Sequence, residues 1–410
     1  MSRKLFAFPC SLLTQRHNHH KRTYLNFTNK LKRFSIDETH HKGYSNHLKD
    51  GDDDSNKRKL PKMLLSSSYL LSSSLETVQS PAPPNTPAIE FSFWKLALVF
   101  VGVPFCVYLY KCAVLILFQN KLIYMPYFPP GSRSELLNVS TIDKRLICKQ
   151  IEILTKDRCK LSGVFIRNKP LNYEDHGNTS PYGVRDTDPI LIYFQGNAGN
   201  VIVRLPIFML TLLSARNGQL SNLTIIAPSY RGYWQSTGRP SERGLQSDAI
   251  AVYEYIHQNF PTNPLYLYGH SLGGSVAIYL AKQIQDYNNN HQLRGIILEN
   301  VFTSIKDMIV TIYPQKWLPY RYLINFPFLI RNKWDNVTMI REINVPILFL
   351  SSRNDEIVPQ KQMRQLYLVA EKTPKKIWKE FRNGLHQDTF LQNGYSEGII
   401  EFIRNTLEKI

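Results

Sequence analysis

The chain has 410 residues, 43% of them hydrophobic, and a formal net charge of +18. It can bury a sizeable core and is long for one domain, so one domain with appendages or two domains is expected. A basic nucleic-acid-binding protein is disfavoured: no basic helix or aromatic-interleaved RNA motif is present, and the charge is unevenly placed, with eight basic residues from Arg3 to Arg33 preceding the first acidic one, Asp37.

Residues 1–90 read as a disordered basic tail followed by a Pro-rich linker. Ser, Asn, His and Lys are frequent, an acidic knot at Asp50-Gly51-Asp52-Asp53-Asp54 adjoins Lys57-Arg58-Lys59, and Pro81, Pro83, Pro84 and Pro87 extend the chain. The first 36 residues have the composition of a mitochondrial presequence, and a basic cytoplasmic tail is the alternative.

Residues 91–118 are expected to be one transmembrane helix. The uncharged run Leu96–Tyr110 alone would give only about 22 Å of helix, short of a ~30 Å hydrocarbon core. Adding Cys112–Phe118 supplies the length if Lys111 snorkels towards the headgroups. Trp94, Tyr108, Tyr110, Tyr124 and Tyr127 stand where interfacial anchors belong. A buried or surface-lying apolar helix is the competing reading.

Residues 120–410 alternate apolar strands with helical stretches. A starting hairpin, Gln150–Leu154 with Cys159–Ile166, precedes strands at Pro189–Phe194, Leu223–Pro228, Pro264–Tyr268, Gly295–Glu299, Pro346–Ser351 and Lys376–Phe381. Helical stretches include Ser241–Asn259, Gly274–Asp286 and Tyr395–Lys409. Near-continuous apolar strands joined by helices predict an α/β fold, with a mostly parallel central sheet covered by helices on both faces. Residues 171–188 are polar and read as a surface insertion. The five cysteines, Cys10, Cys106, Cys112, Cys148 and Cys159, have neither metal-ligand spacing nor the pattern of a disulfide framework. No cofactor motif is present.

The chemistry centres on Gly269-His270-Ser271-Leu272-Gly273, a G-x-S-x-G pattern. It lies between an apolar strand and a helix, the context that turns a serine outward on a sharp elbow. A serine hydroxyl needs a base, and the base needs an acid, in the order Ser, Asp or Glu, His. Asp355 follows the strand at Val345–Ser352 and would orient the imidazole, with the adjacent Glu356 as the alternative acid. His386 follows the strand ending at Phe381 and would be the general base. His257 belongs to a helix, and His270 is fixed inside the elbow and cannot reach over Ser271. Backbone N–H groups must meet the developing oxyanion. One is expected from Leu272 and the second from Asn197 or Ala198, in the glycine-rich loop Gln195–Asn200, whose spacing is not that of a phosphate cradle.

Together, Gln195-Gly196-Asn197-Ala198-Gly199-Asn200, Tyr230-Arg231-Gly232-Tyr233, Ser236–Glu242, the Ser271 elbow, Asn354–Pro359 and Gly384-Leu385-His386 resemble the bud-emergence-type fungal α/β-hydrolases, which are similar to membrane-anchored α/β-hydrolase-domain proteins of animals. The resemblance runs from about Asn120 to Ile410 and implies an α/β-hydrolase fold with a Ser271–His386–Asp355 triad. Two positions depart from the family pattern: Gln195 replaces a usual His, and Ser229 replaces a usual Asp. Residues 303–343 read as a helical cap, whose aromatics either line an acyl or lipid-like substrate site or pack the cap onto the sheet. The expected protein is a single-pass, membrane-anchored serine hydrolase of an ester or thioester, its substrate acylated or lipid-like. The rival is a catalytically silent hydrolase fold used as a membrane-bound interaction or morphogenesis protein. By resemblance the catalytic domain is expected in the secretory-pathway lumen or outside the cell, with a mitochondrial compartment as the alternative. Sequons stand at Asn138, Asn178, Asn222 and Asn336.

Overall fold

A strand that is apolar at every position needs cover on both faces, and the sheet meets that demand. The computed structural model describes residues 92–170, 182–217, 220–286, 292–315, 324–326 and 328–408. The N-terminal tail, Asn178 and most of the 171–188 insertion, and Trp317, Tyr320 and Tyr322 of the cap lie outside these residues. Strands β1 (Leu146–Leu154), β2 (Lys160–Asn168), β3 (Ile190–Phe194), β4 (Thr224–Pro228), β5 (Leu265–His270), β6 (Leu293–Glu299), β7 (Ile347–Ser352) and β8 (Lys376–Phe381) form one sheet. Their order is β1-β2-β4-β3-β5-β6-β7-β8. β2 pairs antiparallel with β1 and β4, and all later pairings are parallel. β3, β4, β5 and β7 are buried along their whole length. After β3 the chain goes to β4 on one side and returns to β5 on the other. The carboxyl ends of β3 and β5 therefore flank a topological switch point, where open α/β sheets bind ligands.

The chain divides into two compact units, residues 29–104 and residues from 105 onward. In the first, the described part is Ser92–Pro104, which opens helix α1 (Phe93–Ile123). This helix of 31 residues is long and apolar enough to cross a membrane; at 1.5 Å per residue it exceeds a ~30 Å hydrocarbon core. Phe100, Phe105 and Leu109 are exposed on it, as lipid-facing side chains are.

In the second unit, α2 (Leu205–Arg216) packs with α8 (Tyr395–Leu407). A separate group comprises α3 (Glu242–Asn259), α4 (Leu272–Asp286), α6 (Asn336–Ile340) and α7 (Gln360–Val369), in which α4 packs against α3 and α6. The sheet thus carries helices on both faces. Between β6 and α6 lies α5 (Ile305–Ile312), capped by Ser304, whose side chain accepts from the Asp307 N–H. No disulfide forms among the described cysteines.

The end of α1 is tied to a strap at residues 328–335. Phe118 leaves helical geometry (φ −105°, ψ 16°), and nearby carbonyls are taken up by side chains, as kinks require. Gln119 Nε2 donates to Ile116 O (2.9 Å) and Leu329 O (3.1 Å). The Arg331 guanidinium donates to Ile116 O (3.0 Å) and Leu117 O (3.2 Å). Gln119 Oε1 in turn accepts from Arg331 N (2.8 Å) and Asn332 Nδ2 (3.2 Å). Asn332 Oδ1 accepts from Tyr124 OH (2.9 Å) and from Glu242 N (3.0 Å), and Trp334 Nε1 donates to Tyr124 OH (3.0 Å). Tyr124, Asn332 and Trp334 are all buried, so each bond replaces water that cannot reach it.

Two sequons meet structural limits. Asn336 is fully buried, its amide donating to Ser275 Oγ and Phe302 O, and no glycan can sit there. Asn222 is half-buried and donates to Asp188. Asn138 is exposed.

Trp334→Ala should remove both core volume and the Tyr124 bond, lowering stability by about 3–5 kcal/mol. Leu368→Ala, at an exposed site, should stay within about 0.5 kcal/mol of wild type. Thermal unfolding of the detergent-solubilised full chain measures both.

Candidate active site

Ser271 stands between the last residue of β5 and the first of α4, with φ +54°. That left-handed conformation is costly for a residue with a Cβ. The elbow is closed by contacts only glycine permits. A Cβ on Gly273 would lie 2.0 Å from Phe194 O on β3, and one on Gly269 would lie 2.4 Å from Gly273 O. The Ser271 N–H donates to Glu299 O on β6 (2.8 Å), fixing the turn to the neighbouring strand as well. Ser271 lines a cavity of about 260 Å³ together with Leu272 and Asn197. The Leu272 N–H opens α4, where helix geometry favours negative charge.

His386 and Asp355 come from the loops after β8 and β7. His386 Nδ1 lies 2.7 Å from Asp355 Oδ2, and both side chains are almost fully buried. The other Asp355 oxygen accepts the N–H groups of Ile357 (2.9 Å) and Val358 (2.8 Å). Its neighbour Glu356 instead accepts the backbone N–H of His386 (3.0 Å). The two adjacent carboxylates thus divide the work: Asp355 meets the ring and Glu356 meets its backbone. No hydrogen bond joins Ser271 Oγ to His386 among the described residues; such contacts commonly tighten only with substrate bound.

Histidine 270 supports this loop. Its Nε2 lies 2.9 Å from His386 O, and since a carbonyl only accepts, Nε2 carries the proton. Burial holds its pKa well below the usual histidine value, so it is neutral at pH 7. Asn300, itself at φ +49°, donates to His386 O (3.3 Å) and Thr389 Oγ1 (3.0 Å). His257 lies elsewhere, stacked on Tyr253 in α3.

The glycine-rich loop after β3 is braced by tyrosines: Tyr230 OH donates to Gln195 O and Tyr233 OH to Asn197 O, each at 2.8 Å. Of the two residues the sequence left open as second oxyanion donor, Asn197 lines the cavity, whereas Ala198 bridges to Met125. Gln195 is buried, with its Oε1 unpartnered. The Tyr-Arg-Gly motif is structural: Arg231 joins the buried Asp248 (2.8 Å) to Asp157 (2.7 Å) and, through hydrogen bonds, draws the Asp157 pKa down to about 2.

The cavity walls depart from the sequence expectation. Among the described residues of the cap, Ile305, Met308, Ile309, Ile312 and Tyr313 line it, Phe302 just before the cap adds a second aromatic, and Phe326 and Phe328 are exposed. The end of α1 also lines it, through Leu115, Ile116, Gln119, Leu122 and Ile123. Sequence reasoning missed that wall. Its one signal was Gln119, a buried polar residue ending an apolar run. Among the described residues, no three His, Cys, Asp or Glu side chains are grouped to hold a metal ion.

A family model described as "Serine aminopeptidase, S33" matches residues 225–336. Protein bem46 of Schizosaccharomyces pombe is 36% identical over 290 residues, covering 70% of this chain and 86% of its own length. An uncharacterized membrane protein of Saccharomyces cerevisiae, YNL320W, is 33% identical over 315 residues, covering 76% of this chain and 97% of its own. Lysophosphatidylserine lipase ABHD12 of Danio rerio is 30% identical over 193 residues, covering 45% of this chain and 48% of its own, so this match spans about half of either protein.

Gly273→Ala should separate α4 from β3 and cost about 3 kcal/mol. Gly102→Ala, where only Leu98 Cγ lies within reach at 3.8 Å, should be neutral or stabilise by up to ~1 kcal/mol. Equal unfolding midpoints for the two variants would contradict the packing described for the elbow.

Proposed function

The chain belongs to the α/β-hydrolase family of bem46, and on that premise we propose that it is a membrane-bound serine hydrolase, cleaving an ester or thioester of a lipid-like acyl substrate through an acyl-enzyme on Ser271. The observation that carries this reading is a strained serine on the wall of an apolar cavity, which Ile357 and Val358 also line, in the loop whose Asp355 forms a buried pair with His386 at 2.7 Å. The lipid-like substrate is supported by that cavity and by the similarity to ABHD12, a lysophosphatidylserine lipase. Membrane attachment is supported by α1 and by the membrane-protein relative.

In the proposed mechanism His386 Nε2 takes the Ser271 Oγ proton as Oγ attacks the acyl carbonyl. The N–H groups of Leu272 and Asn197 meet the oxyanion. Asp355, held by two backbone N–H groups, stabilises the imidazolium. Collapse expels the alcohol or thiol, protonated by His386. Water, deprotonated by the same ring, then releases the acid and restores Ser271. Glu356, His270 and Asn300 act on the backbone of His386 and serve as positioning residues.

The test is labelling by a fluorophosphonate. Wild type should react at Ser271, and Ser271→Ala should be silent while remaining folded. Equal labelling of that variant, or a silent wild type, would remove the catalytic reading; a silent wild type would favour the interaction-protein rival. His386→Ala should lose about 10⁴-fold or more in kcat, with the double variant losing little further, because triad members act as a unit. Asp355→Asn should lose somewhat less. Full activity of Asp355→Asn alongside a dead Glu356→Gln would reverse the assignment of the acid.

A further inference from the structure

Helix α1 has two environments at its end. Leu115, Gln119 and Leu122 recur at helical spacing and line the cavity over Ser271. Leu117 and Phe118, between them in sequence, are exposed by 67% and 46%. A helix apolar enough to cross a membrane therefore also lines the cavity, and α5 lines it too, through Ile305, Ile309 and Ile312. We propose that this cavity is an acyl-chain channel opening sideways between α1 and α5, which a single-chain amphiphile enters from the bilayer leaflet and not from water. The proposal rests on Ser271 being the nucleophile.

Three observations support it. The first is the distribution of polar groups. Asn197 and Ser271 mark the reacting end, and Gln119 spends both ends of its amide on protein partners. Most of the wall between them is aliphatic, from Leu115, Ile116, Leu122, Ile305, Ile309 and Ile312, and it offers an acyl chain mainly hydrocarbon contact. Its volume of about 260 Å³ lies below the usual range for drug-sized ligands, which suits one chain better than two.

The second is the rim. Ile312, Phe326 and Phe328 are exposed by 52%, 48% and 76%, and the two Phe rings lie 6.0 Å apart. Phe328 directly precedes Leu329, whose carbonyl is bonded by Gln119 of α1. Exposed apolar groups beside a membrane-crossing helix fit the acyl and headgroup boundary. The third is charge. Arg331 bonds the α1 carbonyls at the kink, and Lys121 lies 5.3 Å from the Phe118 ring. Lys121 lies between the wall residues Gln119 and Leu122, and Arg331 bonds the same end of the helix; cations so placed suit the level of the headgroups. The Gln119–Arg331–Asn332 clamp fixes the helix at that depth, which makes Gln119 a positioning residue for the channel.

The experiment uses the full chain in phosphatidylcholine liposomes and two fluorophosphonates differing only in alkyl group, ethyl or dodecyl. Wild type should react at least tenfold faster with the dodecyl probe. Leu115→Trp and Ile309→Trp should lower the dodecyl-to-ethyl rate ratio at least tenfold, whereas Leu109→Trp, on an exposed part of α1 away from the cavity, should keep the wild-type ratio. An unchanged ratio in both channel variants overturns the channel. For the route, dodecyl probe preloaded into the enzyme's own liposomes should react at least fivefold faster than the same probe held in separate liposomes. Equal rates overturn lateral entry, and this comparison needs no variant, so it decides even where a Trp substitution prevents folding. Failure of both probes on wild type refutes the nucleophile assignment, and the channel proposal falls with it; normal ethyl labelling with no chain-length effect refutes the channel alone.

Discussion

The turn at Ser271 is the constraint on which the rest of the structure depends. A non-glycine residue at φ +54° costs on the order of 1–3 kcal/mol and persists only where its surroundings leave no alternative. Here those surroundings come from three strands. Gly273 abuts the end of β3, Ser271 bonds the end of β6, and β5 runs straight into the turn. The contact with β3 brings the glycine-rich loop alongside the serine. The loops after β7 and β8 then hang Asp355 and His386 above the same edge, and His270, one residue before the turn, reaches the His386 carbonyl. Strain in one residue is therefore balanced by contacts spread over the whole carboxyl edge of the sheet.

A second set of contacts joins that edge to α1. Gln119, Tyr124, Asn332 and Trp334, all buried, form a network with the half-buried Glu242 in which the strap is held between the end of the helix and the start of α3. Buried polar networks of this kind specify one arrangement when every member is satisfied. Its position beside the cavity makes the depth of the helix and the shape of the cavity one problem. The same helix that is long and apolar enough to cross a membrane thus also lines the cavity over Ser271.

The strand and helix run was legible because it is local: near-continuous apolar strands alternate with helical stretches, and glycines stand where the elbow demands them. The elbow was legible for the same reason. The clamp was not, since Gln119 and Asn332 lie 213 positions apart and nothing in either's neighbourhood encodes the pairing. The carboxylates at 355 and 356 show a finer limit. Adjacent and chemically alike, they are told apart only by the loop's path, which turns one towards the imidazole ring and the other towards its backbone N–H. The cap was read by composition, which counts aromatics but does not say that Phe326 and Phe328 face outward while aliphatic side chains of α1 complete the cavity. Asn336 illustrates the converse: a glycosylation sequon by pattern, it is a buried hydrogen-bond donor in the fold.

The most direct measurement is the mass of the active-site peptide after rapid acid quench of the full chain, in lipid, turning over a long-chain acyl ester. An increment equal to the acyl group is expected on the peptide containing Ser271, appearing within the first turnover and chased off by water. Hydrolysis proceeding with the acyl group on a different residue, or with no acylated peptide at any quench time, would contradict it.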